Sequence, residues 1–123
     1  MLQAYSINQA AAANAPIQFN NVTVEKGCTT VLTSNSTIEL NRKGVYMVAF
    51  DGVAGTETTA QLYKDGVAQP QAQTSGTTLA FTTLVQVDRD NCGCCCSSPV
   101  RLQLINTDAV TYDNANVVVT KVC

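Results

Sequence analysis

The sequence predicts an all-β fold, a sandwich or barrel of short strands, and three observations predict it. Thr, Val, Gln and Asn are abundant while helix-forming runs are almost absent. Short stretches of alternating apolar and polar residues recur at intervals of about ten residues. The breaks between them have turn chemistry: Asn41-Arg42-Lys43-Gly44 ends in a glycine able to take positive φ, and Lys64-Asp65-Gly66 carries the Asp-Gly pair of tight hairpins. With 123 residues, 46% of them hydrophobic, the chain suits one domain spanning residues 1–123 with a real core.

The elements follow in order. Tyr5–Ile7 is the first strand, and Asn8–Asn14 is the one stretch with helical composition, too short to hold a helix alone. Ile17–Phe19, Val22–Val24, Thr29–Thr33 and Thr37–Leu40 come next, the last two parted by the polar loop Ser34-Asn35-Ser36. Val45–Val53 precedes Thr58–Lys64, where Ala60 and Leu62 oppose Thr59 and Gln61. Val67–Gln73 holds Pro70, which has no N–H for a ladder and so marks an edge strand. Thr77–Val87, Val100–Asn106 and Asn116–Val122 complete the set; in the second of these Leu102 and Leu104 oppose Arg101 and Gln103.

Three strands break the one-sided pattern. Val45, Met47 and Ala49 oppose Tyr46, Val48 and Phe50; Leu79, Phe81, Val85 and Val87 oppose Ala80 and Leu84; Val117 and Val119 oppose Val118 and Val122. A sandwich covers only one face of each sheet, and this chain has no helices to cover the other. A second copy of the chain would cover it, and we assign Tyr46, Val48, Ala80, Leu84, Val118 and Val122 to that interface. The competing reading leaves the outer valines exposed, selected for strand propensity alone. Three such strands together favour the interface.

Charge narrows the function. Seven Lys and Arg, nine Asp and Glu and no His give a net charge of −2. Without histidine, Ser-His and Cys-His catalysis are absent, and the composition points away from an enzyme. The cations are scattered along the chain, which predicts no nucleic-acid or anionic-membrane partner. No apolar run approaches the ~20 residues of a membrane span, and Met1–Asn8 lacks a basic leader, so synthesis without a signal peptide is expected.

The stretch from Thr37 to Phe50, containing Gly44-Val45-Tyr46, resembles the Gly-x-Tyr core strand and its predecessor in tumour necrosis factor-like jelly rolls. This family includes the globular heads of complement and short-chain collagens and the tips of collagen-like spore glycoproteins. Pro16-Ile17-Gln18-Phe19-Asn20 and Leu62-Tyr63-Lys64-Asp65-Gly66-Val67 are similar to flanking family motifs, the latter to its hairpin. The resemblance implies a jelly roll of ten strands assembled as a homotrimer, with Val45–Val53, Thr77–Val87 and Asn116–Val122 in the sheet facing the threefold axis. The chain departs from the collagen-like members in lacking a Gly-X-Y stalk. Leu2-Gln3-Ala4-Tyr5, the Cys-rich loop and the Val-Thr-Lys ending also resemble small phage and prophage proteins. This second resemblance implies a structural protein on the virion surface, made in the host cytoplasm. Its partners would be itself and capsid or other virion proteins, as a capsid decoration or head fibre. A receptor- or glycan-binding fibre tip and a spore-surface protein are the alternatives.

Six cysteines are dense for this length: Cys28, Cys92, Cys94, Cys95, Cys96 and Cys123. The jelly-roll topology implies that all six gather at one pole. Disulfides from Cys28 and Cys123 to the loop, a structural zinc held by four thiolates, and free thiols packing as small apolar groups all remain open. No cofactor beyond that zinc is expected. A redox thiol would want a cation beside it, and only Arg89 is near in sequence. Asp88, Asp90 and Asn91 could offer oxygens to calcium, as some members of the family do at their apex; a solvated loop is the simpler reading. Of the nine acids most, among them Asp51, Asp65, Asp108 and Asp113, sit in turn-like contexts, unlike a glycosidase pair. Two sequons, at Asn21 and Asn35, read as coincidence in a Thr-rich chain. Tyr63, Tyr112 and Gln71 are candidates for carbohydrate contact, but surface tyrosines are common.

Overall fold

The computed structural model describes residues 1–27, 30–88 and 99–123. Among the described residues nine strands form: β1 (Leu2–Ala11), β2 (Ala15–Pro16), β3 (Asn21–Glu25), β4 (Thr30–Thr33), β5 (Thr37–Leu40), β6 (Gly44–Lys64), β7 (Val67–Val87), β8 (Val100–Asn106) and β9 (Val110–Lys121). The expected segments Val45–Val53 and Thr58–Lys64 are one strand, and so are Val67–Gln73 and Thr77–Val87. Together β6 and β7, 21 residues each, make one long antiparallel ribbon. Its tip is the Asp-Gly turn anticipated from the sequence, with Asp65 at φ 51° and Gly66 at φ 82°.

The ribbon folds across itself to build both layers. Pairing runs from Gly44↔Val87 to Val53↔Thr78, shifts, and resumes at Thr58↔Gly76. Such a shift lets a strand bend from one sheet to another. The first half of β6 pairs with β9 and the second half with β8. One layer is therefore β3-β1-β9 with the first half of β6 and the second half of β7. The other is β4-β5-β8 with the remaining halves, β2 extending the β5 side of β8. At the tip, Lys64 Nζ donates to the Gln86 carbonyl at 2.7 Å, which returns the turn to the end where β6 begins. We call this the Gly44 end. The opposite end carries Gly55, and ten residues of strand put the two about 30 Å apart.

The core lies between the layers. Phe50 packs edge-on to Phe19 with ring centroids 6.5 Å apart, and lies 5.7 Å from Phe81. Tyr46, Val48, Leu62, Leu79, Leu102, Leu104, Val117 and Val119 are all fully buried around them. This corrects the interface assignment: Tyr46 and Val48 belong to the core of the protomer and cannot face a second copy. Both phases of Val45–Phe50 are apolar, so register alone could not choose the inner one. The phase holding the two rings, Tyr46 and Phe50, fills more volume and lies inside.

Two further expectations differ. Asn8–Asn14 carries no helix; β1 continues through Ala11, paired with β9 out to Val110, with Asn8 at φ 53° absorbing an irregularity. Ile17–Phe19 is not a ladder strand, although Ile17 and Phe19 are buried. Their N–H groups reach the Leu104 and Asn35 carbonyls, each at 2.6 Å.

Candidate functional site

The outer face of the β3-β1-β9-β6-β7 layer is the surface that the sandwich leaves uncovered. Cross-strand register sorts it into rows. Thr120, Met47 and Leu84 make one row; Gln3, Val118, Ala49 and Thr82 the next; then Tyr5, Asn116, Asp51 and Ala80; then Ile7, Asn114, Val53 and Thr78. Leu84 is 60% exposed, Ile7 61% and Val53 37%. The one charged side chain in these rows is Asp51, whose Oδ1 accepts a hydrogen bond from Asn116 Nδ2 at 3.1 Å. Of the residues assigned to the interface from sequence, Ala80, Leu84, Val118 and Val122 lie outside the core, with Val122 52% exposed. Sequence reasoning missed Val45, Met47 and Ala49, the out-of-phase partners of Tyr46 and Val48.

The opposite layer shows what a wet face looks like in the same chain. Arg101 Nε contacts Glu39 Oε2 at 3.1 Å, and Gln103 Nε2 donates to Thr37 Oγ1 at 3.0 Å. Thr59 Oγ1 and Ser75 Oγ lie 2.8 Å apart. Polar side chains satisfy one another there, as alternation predicts.

The edge is the second feature. Among the described residues β7 pairs with β6 alone, so one side of a 21-residue strand is open to them. No Asp, Glu, Lys or Arg occurs in it. Open edges are ordinarily blunted by charge, proline, bulges or short length. Here Pro70 and a register irregularity serve the first half of β7. In the second half Thr74 Oγ1 accepts from the Ala80 N–H at 3.3 Å. The run from Phe81 to Val87 holds no proline and no charged residue of its own, and its Gln86 carbonyl accepts from Lys64 Nζ.

The remaining candidates place as follows. Cys28, Cys92, Cys94, Cys95, Cys96, Asp90 and Asn91 lie outside the described residues. Cys123 is exposed with a free thiol at the Gly44 end, where its carbonyl accepts from Lys121 Nζ at 2.8 Å. Asp88 accepts from Gln86 Nε2 at 3.0 Å. Among the described residues no group of three His, Cys, Asp or Glu could hold a metal ion. Tyr112 is fully buried and cannot touch carbohydrate; burial pushes its phenol up to about 12. Asp51 and Asp113 lie within β6 and β9 rather than in turns. At the Gly55 end, Ala10, Ala11, Gly55, Thr56, Val110 and Thr111 line an open depression of about 470 Å³ with no aromatic wall.

Comparison with solved structures decides what this arrangement of layers is. The globular domain of the zebrafish complement 1qA protein superposes with a TM-score of 0.77 at 8% identity, over 99% of this chain and 96% of that one. The fold is a tumour necrosis factor-like jelly roll. Pika and rabbit GITRL share it at TM-scores of 0.55, with 11% and 13% identity; the matches cover 100% and 98% of this chain and 100% and 94% of theirs. No family model and no curated protein sequence matches the chain. The uncovered face and the bare edge therefore belong to the same layer of a jelly roll, formed by β9, the first half of β6 and the second half of β7.

Proposed function

We propose that the chain is a non-catalytic structural module that works as a homotrimeric jelly-roll head, decorating a phage capsid or heading a fibre on the virion surface. The observation that carries this reading is the joint exposure of an apolar sheet face and an uncharged edge on one layer. Packing the edge of one protomer against the face of the next removes both from water, and in a closed ring every copy is served. Three copies close such a ring in the family that the sequence resembles. The virion setting rests on the resemblance of Leu2-Gln3-Ala4-Tyr5 and the Cys-rich segment to small phage proteins. Sedimentation equilibrium tests the assembly, and gene neighbourhood tests the setting: capsid and portal genes beside this one support it, sporulation genes contradict it.

A second reading, recognition of a host-surface glycan or receptor, draws on the open depression at the Gly55 end. Its lining offers small side chains and no aromatic ring for a sugar to stack on. Specific signal on a glycan array would favour this reading over the first.

A further inference from the structure

Alternation along β6 and β7 fixes which backbone groups face the open edge. The Val122 N–H donates to the Val45 carbonyl at 2.8 Å. Odd-numbered residues from Val45 to Val53 therefore turn their backbone groups to β9, and even-numbered ones turn theirs to β7. By the same register Ala80, Thr82, Leu84 and Gln86 point theirs away from β6. Two contacts agree: the Ala80 N–H donates to Thr74 Oγ1 at 3.3 Å, and the Gln86 carbonyl accepts from Lys64 Nζ at 2.7 Å. Between them, the N–H groups of Thr82 and Leu84 have no partner among the described residues. A purely apolar surface laid over this edge would cut these donors off from water, and a stranded backbone N–H is costly.

The face of the same layer carries one group suited to receive such a donor. Asp51 is exposed and lies between Ala49 and Val53 on the outer side of β6. Its ionised carboxylate only accepts hydrogen bonds, and Asn116 Nδ2 at 3.1 Å occupies one position on Oδ1. Asn116 is kept there at a cost, because its own Oδ1 is shut away from water with no partner among the described residues. What the carboxamide gains in return is its hold on Asp51. We infer that Asp51, oriented by Asn116, is an acceptor latch for a second copy of the chain, taking the Thr82 N–H of that copy's β7 edge. A carboxylate and a backbone N–H make a charge-assisted bond, stronger than one between neutral groups. A ring axis running along the strands keeps each row of residues at its own height. Asp51 then meets the neighbouring edge near Ala80, its own row partner, whose N–H is already bonded, and Thr82 offers the next donor. This inference rests on the reading of the chain as a closed ring of copies, and names the bond across each joint.

The test is the association equilibrium of the intact chain, measured by sedimentation for the wild type, Asp51→Val, Asp51→Asn and Asn116→Ala. Valine suits an exposed strand position, so the Asp51→Val chain should fold, which circular dichroism checks. A latch and a bystander predict opposite signs. Losing a latch in Asp51→Val should lower the association constant at least about tenfold, about 1.4 kcal/mol, with Asp51→Asn, which keeps an acceptor oxygen, in between. A bystander carboxylate only costs desolvation when the joint closes, so its removal would tighten the assembly. Asn116→Ala should weaken association as well, and should add little to Asp51→Val in the double variant. Amide exchange of the assembled protein reads the donor itself: the Thr82 amide should be protected in the wild type and exchange at least about tenfold faster in Asp51→Val. A wild-type trimer that Asp51→Val leaves unchanged or tightens, or a Thr82 amide that exchanges equally in both, would overturn the latch and leave the trimer standing. A wild type of one chain mass would overturn the trimer and the latch together.

Discussion

Tyr112 and Tyr46 lie in the same core, and their hydroxyls fare differently. Tyr46 donates to the Arg42 carbonyl at 2.8 Å, while the Tyr112 hydroxyl is buried with no partner. A hydroxyl desolvated without a bond costs stability, so Tyr112→Phe should be neutral or stabilising by up to about 1 kcal/mol, and Tyr46→Phe should cost about 1 kcal/mol. Chemical denaturation of the two variants checks the contrast. Tyr112 also fixes an alkaline limit. Its phenol titrates near 10 when unfolded and at about 12 when folded, so the unfolded chain loses its proton first. The neutral tyrosine's contribution is complete below pH 10 and disappears as pH rises from 10 towards 12, a loss of about 2–3 kcal/mol. Melting curves between pH 9 and pH 12 should fall more steeply for the wild type than for Tyr112→Phe; parallel curves would contradict the assignment. Gly44 is fixed by space as well as by conformation. At φ +149°, an added Cβ would lie 2.5 Å from Lys121 Cε and 2.6 Å from the Cys123 carbonyl oxygen. Gly44→Ala should therefore destabilise by more than about 1 kcal/mol in the same denaturation assay.

Strands behave here as two-sided objects, and each side makes its own prediction. Leu62→Ala removes a fully buried side chain, and should cost about 2–5 kcal/mol. Leu84→Asp alters a side chain on the open face and edge, so it should change the protomer's own stability by less than about 0.5 kcal/mol. It places a charge where the proposed interface excludes water, and should shift sedimentation from trimer to monomer; an unchanged mass would remove β7 from the interface. The sequence was readable here where its alternation was clean. The phases of Thr58–Lys64 and Val100–Asn106 are those seen in β6 and β8, because polar and apolar sides differ. In Val45–Phe50 both sides are apolar, so Tyr46 and Val48 were placed outward when the volume of the two rings takes them inward. The continuity of β6 through Gly55 and of β7 through Gly76 was also hidden, since a bend between sheets looks like a break in a one-dimensional pattern.

At the scale of the molecule, the fold class was legible from spacing and turn chemistry, as was the jelly roll from the Gly44-Val45-Tyr46 strand and its neighbours. The open edge was not, because whether a strand is flanked depends on the order of strands in the sheet. These features describe a protomer finished on one layer and unfinished on the other, which is the central claim. Sedimentation equilibrium of the intact wild-type chain at micromolar concentration tests it most directly. The account predicts a single species of three chains, each of 13.0 kDa. A stable species of one chain mass would contradict it.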